Sequence, residues 1–166
     1  MPVNLSTWPL YRDSVLDIER SSFAPSIADD MEDFERLLRV REAIMIVARL
    51  ITRKGVVGYV AGAALEAFSD IPGVKSDSSF GRGNTLYVES LAVLPSVRGQ
   101  GIGGTLLRGL LSHTRTRGLT RVVAHVETAS ACHLGLAVAK GTVFDDWYGT
   151  GQSFQYVEFT VPLEGS

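Results

Sequence analysis

Two features of this chain have the makings of chemistry. The first is a cluster of backbone. The stretch Val97-Arg98-Gly99-Gln100-Gly101-Ile102-Gly103-Gly104-Thr105 holds four glycines within six positions, directly before an apolar run. Each glycine costs conformational entropy on folding, so such a density needs a use. At a helix start the segment offers unpaired N–H groups and the positive end of a dipole, with no Cβ atoms to hold an anion away. Arg98 adds a charge and Thr105 a hydroxyl, and the chemistry is that of phosphate binding. The second feature is Glu89, a lone carboxylate in the run Thr85 to Leu94 (TLYVESLAVL). Burial raises a carboxyl's pKa and fits it to accept a proton, directly or through water. Pairing with a nearby Arg, or exposure to solvent, is the plainer use of the same residue.

These residues need elements to hold them. Asp13 to Arg20 and Asp29 to Val40 read as two helices joined by a loop around Pro25, the second acidic at its start and basic at its end. Ala43 to Thr52 reads as a buried strand. Arg53-Lys54-Gly55 turns it into a second strand, Val56 to Phe68. Ser69 to Asn84 is a long Ser/Gly/Asp/Pro connection, either an ordered functional loop or a disordered hairpin tip. Thr85 to Leu94 is a strand ended by Pro95, and Ile102 to Thr116 a helix with one buried face, stopped at Gly118. Leu119 to Glu127 is a strand, Ala129 to Lys140 a short helix closed by Gly141. Val143 to Tyr148 and Phe154 to Pro162 are two closing strands. On strict alternation, Tyr87, Glu89, Leu91 and Val93 share one face, and Val88, Ser90 and Ala92 the other. The order predicts an α+β domain on a mixed sheet.

Gly99, Gly101 and Gly104 formally match the dinucleotide fingerprint G-x-G-x-x-G, with Glu127 near where a ribose-binding acid falls. Antiparallel strands precede the cluster, however, and too little chain follows for a doubly wound sheet. No Lys-Ser/Thr pair follows, which excludes a P-loop. Arg98-Gly99-Gln100-Gly101-Ile102-Gly103 resembles the Q/R-x-x-G-x-G/A signature of the GNAT superfamily of acyl-CoA-dependent N-acetyltransferases. Glu89-Ser90-Leu91-Ala92-Val93-Leu94-Pro95 is similar to that family's fourth strand. The resemblance is strong from Tyr87 to Val126 and topological before it.

The resemblance implies a GNAT-like fold: a central, mixed, mostly antiparallel sheet flanked by helices and splayed at strands four and five. It implies acetyl-CoA as co-substrate, with the pantetheine arm along the backbone of Leu91, Ala92 and Val93. The pyrophosphate would lie over Arg98, Gly99, Gln100, Gly101, Ile102, Gly103 and Gly104, with the Thr105 hydroxyl as a further cofactor contact. It implies acetyl transfer to a primary amine in a ternary complex, with Glu89 as the base. The family's Asn and Tyr on the next helix fall at Ser130 and Ala137, so Ser130 stands at a cofactor-contact position and the usual acid is absent. Tyr148, His133 and Cys132 are the substitutes. Tyr148 could equally be a core aromatic, and the thiolate could leave unaided. His125, mid-strand, reads as structural. The acceptor would meet Ser21 to Asp33 and Ser69 to Asn84. Asp29, Asp30, Glu32 and Asp33 could attract a cationic amine, though all are good helix-start residues. A non-catalytic acyl-CoA-binding or sensory module is the alternative.

Composition sets the frame. The chain has 166 residues, 45% hydrophobic and 20% charged, with net charge −2 and one cysteine. One domain spanning 1–166 is expected. So is a cytoplasmic location without nucleic-acid or membrane partners, with a homodimer left open. No residue spacing suggests a metal or a Ser-His-Asp set.

Overall fold

The computed structural model describes residues 1–130 and 138–161. Strands β1 (Pro2–Val3), β2 (Ile44–Arg49), β3 (Val56–Ala64), β4 (Thr85–Val93), β5 (Arg121–Glu127), β6 (Val138–Phe144) and β7 (Phe154–Phe159) form one sheet in the order β1-β2-β3-β4-β5-β7-β6. Every pairing is antiparallel except β4 with β5. Helices α1 (Arg12–Ser22) and α2 (Met31–Leu38) cover one face, and α3 (Ile102–Thr116) covers the other. The expected mixed, mostly antiparallel sheet with flanking helices is the observed one.

The helices follow their apolar stripes. Val15, Leu16, Ile18 and Glu19 are the buried positions of α1; Leu106, Leu107, Leu110, Leu111 and Thr114 are those of α3. Asp30 and Asp33 close a reciprocal capping box on α2: the Asp33 N–H donates to Asp30 Oδ1 at 2.9 Å and the Asp30 N–H to Asp33 Oδ2 at 3.0 Å. Asp30 and Asp33 therefore do helix-start work.

The long connection 69–84 is ordered. The side chain of Asp77, only 2% exposed, accepts from Arg121 at 2.7 Å, Tyr156 at 2.7 Å and the Ser79 N–H at 2.8 Å. Glu66 accepts from the N–H groups of Gly81 and Gly83. These bonds rivet the loop to β5 and β7, and the alternative of a disordered hairpin tip is set aside.

Three expectations are corrected. Residues 138–140, expected in a helix, open β6, and Gly141 lies inside that strand, where a Cβ would stand 3.1 Å from the Tyr156 carbonyl oxygen. The apolar spacing of this stretch suits an edge strand as well as a helix. Tyr148 is in a tight turn (φ +48°), not a strand. The third correction concerns β4. Ala61 pairs with Ser90, but Gly62 pairs with Val88, so Glu89 has no partner. This is a β-bulge, two residues opposing one, and it resets the alternation. Leu91 and Val93 consequently join Leu86 and Val88 on the α3 face, while Ser90 and Ala92 join Tyr87 on the α1–α2 face. Gly62 makes the bulge feasible, because a Cβ there would meet the Tyr87 carbonyl oxygen at 2.5 Å.

Candidate active site

The parallel pairing of β4 with β5 runs only from Thr85–Arg121 to Val88–Ala124. Beyond it β5 stays with β7, and β4 stays with β3. The strands thus part at Glu89. The Leu94 N–H donates to Val57 on β3, and hydrogen-bonding direction alternates along a strand. Ala92 therefore faces β3, and Leu91 and Val93 turn their N–H and C=O groups into the gap. Of the three residues expected along the pantetheine arm, Leu91 and Val93 turn backbone toward the gap, with the Val93 carbonyl already held by Arg98, and Ala92 turns toward β3.

The glycine cluster sits at the mouth of this gap. Gly101 is the N-cap of α3 with φ +78°, and Gly99 has φ +79°; a Cβ on either would meet no protein atom within 4 Å. No side chain caps α3 and its first turn has no acidic residue. The first N–H groups, through Gly104, have no intrahelical acceptor, because the first helical bond is Thr105 N–H to the Gly101 carbonyl, and such helix starts suit anions. Gln100 is exposed beside them and Ile102 is half-buried. Two polar side chains are already engaged. Thr105 Oγ1 donates to the Gly101 carbonyl at 3.0 Å. The Arg98 guanidinium donates to the Val93 carbonyl at 2.9 Å and to Ser22 Oγ at 3.0 Å, tying the end of β4 to α1. Ser130 lies across the gap in the turn after β5, its N–H donating to the Glu127 carbonyl at 2.9 Å.

On the α1–α2 face, Glu89 is one of three carboxyls brought together. Glu19 is 1% exposed; its Oε1 accepts the Asp29 N–H at 2.9 Å and its Oε2 accepts from Ser90 Oγ at 3.1 Å. Ser90 Oγ in turn bonds Tyr59 Oη at 2.7 Å. Burial, then the charge of neighbouring Asp29, push the Glu19 carboxyl up to about 7, against the two hydrogen bonds. Burial pushes Glu89 up to about 8, helped by the negative charges of Asp29, Asp33 and Glu19. Asp29 is raised by burial and by Asp33 and Asp30. The cation Arg36 is largely exposed and engaged by Asp33 at 2.9 Å. A carboxyl so placed is protonated or basic near neutrality, as proton transfer requires.

Beside Glu89, the Tyr87 ring is buried and its hydroxyl meets His125 Nδ1 at 2.8 Å. Trp147 stacks on His125 at 4.4 Å, with Tyr156 at 4.9 Å and Phe144 at 5.2 Å. This cage lowers the His125 pKa to about 4, so the ring is neutral at pH 7. Tyr148 projects from the rim: it is 50% exposed and edge-on to Trp147. It is not a core aromatic. Burial and the charge of Asp70 raise its phenol, which stays protonated near neutrality. Cys132, His133 and Ala137 lie outside the described residues.

Glu19 and Ser90 are the participants that sequence reasoning passed over. Glu19 falls four residues after Val15 on the apolar stripe of its helix, and a carboxylate there was the available signal. Nothing local marked Ser90, because its partners lie far away in the chain.

A family model of the acetyltransferase (GNAT) family matches residues 10–134. No curated protein sequence matches the chain. Among solved structures, the ribosomal-protein-alanine N-acetyltransferase of Brucella melitensis is 19% identical with a TM-score of 0.65, covering 96% of this chain and 99% of that one. An aminoglycoside 6′-N-acetyltransferase complexed with coenzyme A is 14% identical with a TM-score of 0.67, covering 100% and 99%. A CoA-dependent acyl-homoserine lactone synthase is 17% identical with a TM-score of 0.66, covering 98% and 89%. At such identities the likeness is one of fold. The family match over most of the chain agrees with the parted strands and the open glycine turn: the chain belongs to the GNAT acetyltransferase family.

Proposed function

We propose that this protein transfers an acetyl group from acetyl-CoA to a primary amine of a small molecule or protein, by direct attack in a ternary complex. One observation carries the reading. The strands part at the half-buried Glu89, and from there the unpaired edge of β4 leads toward the uncapped start of α3.

The pyrophosphate of acetyl-CoA rests on the N–H groups between Gly99 and Gly104, and its pantetheine arm adds to β4 at Leu91 and Val93. Arg98 and Thr105 shape this cradle, Gln100 and Ile102 border it, and Ser130 stands on its far bank. Glu89 takes the proton of the acceptor ammonium. The freed amine nitrogen attacks the thioester carbonyl carbon. The new C–N bond forms, the C–S bond breaks with its electron pair leaving on sulfur, and the nitrogen sheds its second proton to solvent. Tyr148 supplies the thiolate's proton. The resident charge suits a cationic acceptor, since Asp29 and Glu19 lie behind Glu89.

Calorimetry with acetyl-CoA, coenzyme A and NADH, followed by thiol release with an amine panel, tests the reading. Acetyl-CoA binding and amine-dependent thiol release are expected. Binding without release for any amine would make this a non-catalytic acyl-CoA-binding module. NADH binding alone would return the glycine cluster to the dinucleotide reading.

A further inference from the structure

Glu19 is a buried ionisable group that exchanges no proton with substrate in the proposed chemistry. Glu89 is half-buried, whereas Glu19 is 1% exposed. It joins three elements: α1, which carries it; the α1–α2 loop, whose Asp29 N–H it accepts; and β4, through Ser90. Ser90 is the residue next to Glu89 in the bulge. We propose that Glu19 is a positioning residue for Glu89: through Ser90 it holds the bulge against α1, and as a second negative charge behind Glu89 it makes that carboxylate a stronger base. The proposal rests on the reading of Glu89 as the base.

The bond pattern fits both protonation states of Glu19. When Glu19 is ionised, Ser90 donates to it and Tyr59 donates to Ser90, so every proton in the chain Tyr59–Ser90–Glu19 points at the carboxylate. When Glu19 is protonated, it can donate to Ser90 instead. The chain therefore passes a charge change at Glu19 to the residue beside Glu89 without breaking a contact. The other groups facing Glu89 are Asp29 from the loop, Asp33 and Arg36 from α2, and Tyr87 from its own strand. Asp33 also raises Glu89 but is committed to its cap and to Arg36, whereas Glu19 is bonded to the Asp29 N–H and to Ser90, the residue beside Glu89.

The test is carboxyl ¹³C NMR titration of the full chain labelled in glutamate, with the Glu89 signal assigned by its loss in Glu89→Gln. In Glu19→Gln the amide keeps the size of the protonated carboxyl and removes the charge. The Glu89 midpoint should fall by about one pH unit, a tenfold weaker hold on its proton. Ser90→Ala, which keeps Glu19 but removes the donor that favours its ionised form, should move the Glu89 midpoint in the same direction by less. It serves if Glu19→Gln does not fold. Glu19→Asp, which keeps the charge, should leave the midpoint near wild type. An unmoved Glu89 midpoint in both Glu19→Gln and Ser90→Ala would overturn the proposal. This readout needs no acceptor. If Glu89→Gln left acetyl transfer intact, the base reading would fail while the coupling of the two carboxyls stood or fell on the titration alone.

Discussion

The Glu19 carboxyl also writes a pH signature into folding stability. It sits at about 7 in the folded chain against an ordinary 4.5, because burial outweighs two hydrogen bonds. Below pH 4.5 the group is neutral folded or unfolded and costs nothing. As pH rises from 4.5 to 7 the unfolded chain releases the proton while the folded chain keeps it, so stability is lost across that window. Above it the whole cost, about 3 kcal/mol, is in place. Glu19→Gln removes the titration and keeps the shape of the protonated form. Between pH 5 and pH 9 the wild type should thus lose about 2.5 kcal/mol that the variant keeps. For a chain of this size that separates the two melting temperatures by about 5–10 °C more at pH 9 than at pH 5. Scanning calorimetry of both proteins across that range is the assay. Melting curves that stay parallel with pH would refute the claim that Glu19 is held protonated by its surroundings.

Further outcomes follow from the site. Glu89→Gln should lower turnover roughly 10²–10⁴-fold with little change in acetyl-CoA affinity, and the acid limb of the pH–rate profile should vanish; stopped-assay thiol release across pH checks both. Gly101→Val forces a β-branched residue to φ +78°, which strains the exposed turn but meets no neighbour, so circular dichroism should report a folded chain while calorimetry reports lost acetyl-CoA binding. Tyr148→Phe should slow acetyl transfer at least about tenfold without lowering the melting temperature, since the ring is half exposed; unchanged turnover would mean that thiolate leaves unaided. Gly62→Ala should cost stability and disturb the Glu89 titration together, because its Cβ collides with backbone across the bulge.

What the sequence disclosed depended on distance along the chain. The helix over 102–116 and its open glycine start are local patterns, and they were legible to the residue. The parting of β4 from β5 was legible only by resemblance, since no local signal says where two strands stop pairing. The bulge was invisible to alternation: period-two reasoning assumes one partner per residue, and Glu89 has none. Leu91 and Val93 were placed on the wrong face for that reason alone. The Glu19–Ser90 bond spans 71 positions, and the Asp77 contacts with Arg121 and Tyr156 span 44 and 79. Residues so separated meet only through the sheet order. The misread helix over 138–140 shows the converse weakness, a short apolar segment whose spacing suits either structure.

The bulge has a consequence for how this chain tolerates change. With Glu89 struck out, the strand reads Thr85-Leu86-Tyr87-Val88-Ser90-Leu91-Ala92-Val93, and each side chain then falls on the face it already occupies. Glu89 is thus a supernumerary residue, inserted into a strand whose packing is complete without it. Its side chain takes no part in the pairing with β3, whereas those of its neighbours fill the two cores. Chemistry and architecture are carried by different letters of the same strand, so a library randomised at this one position samples reactivity on a scaffold that stays constant.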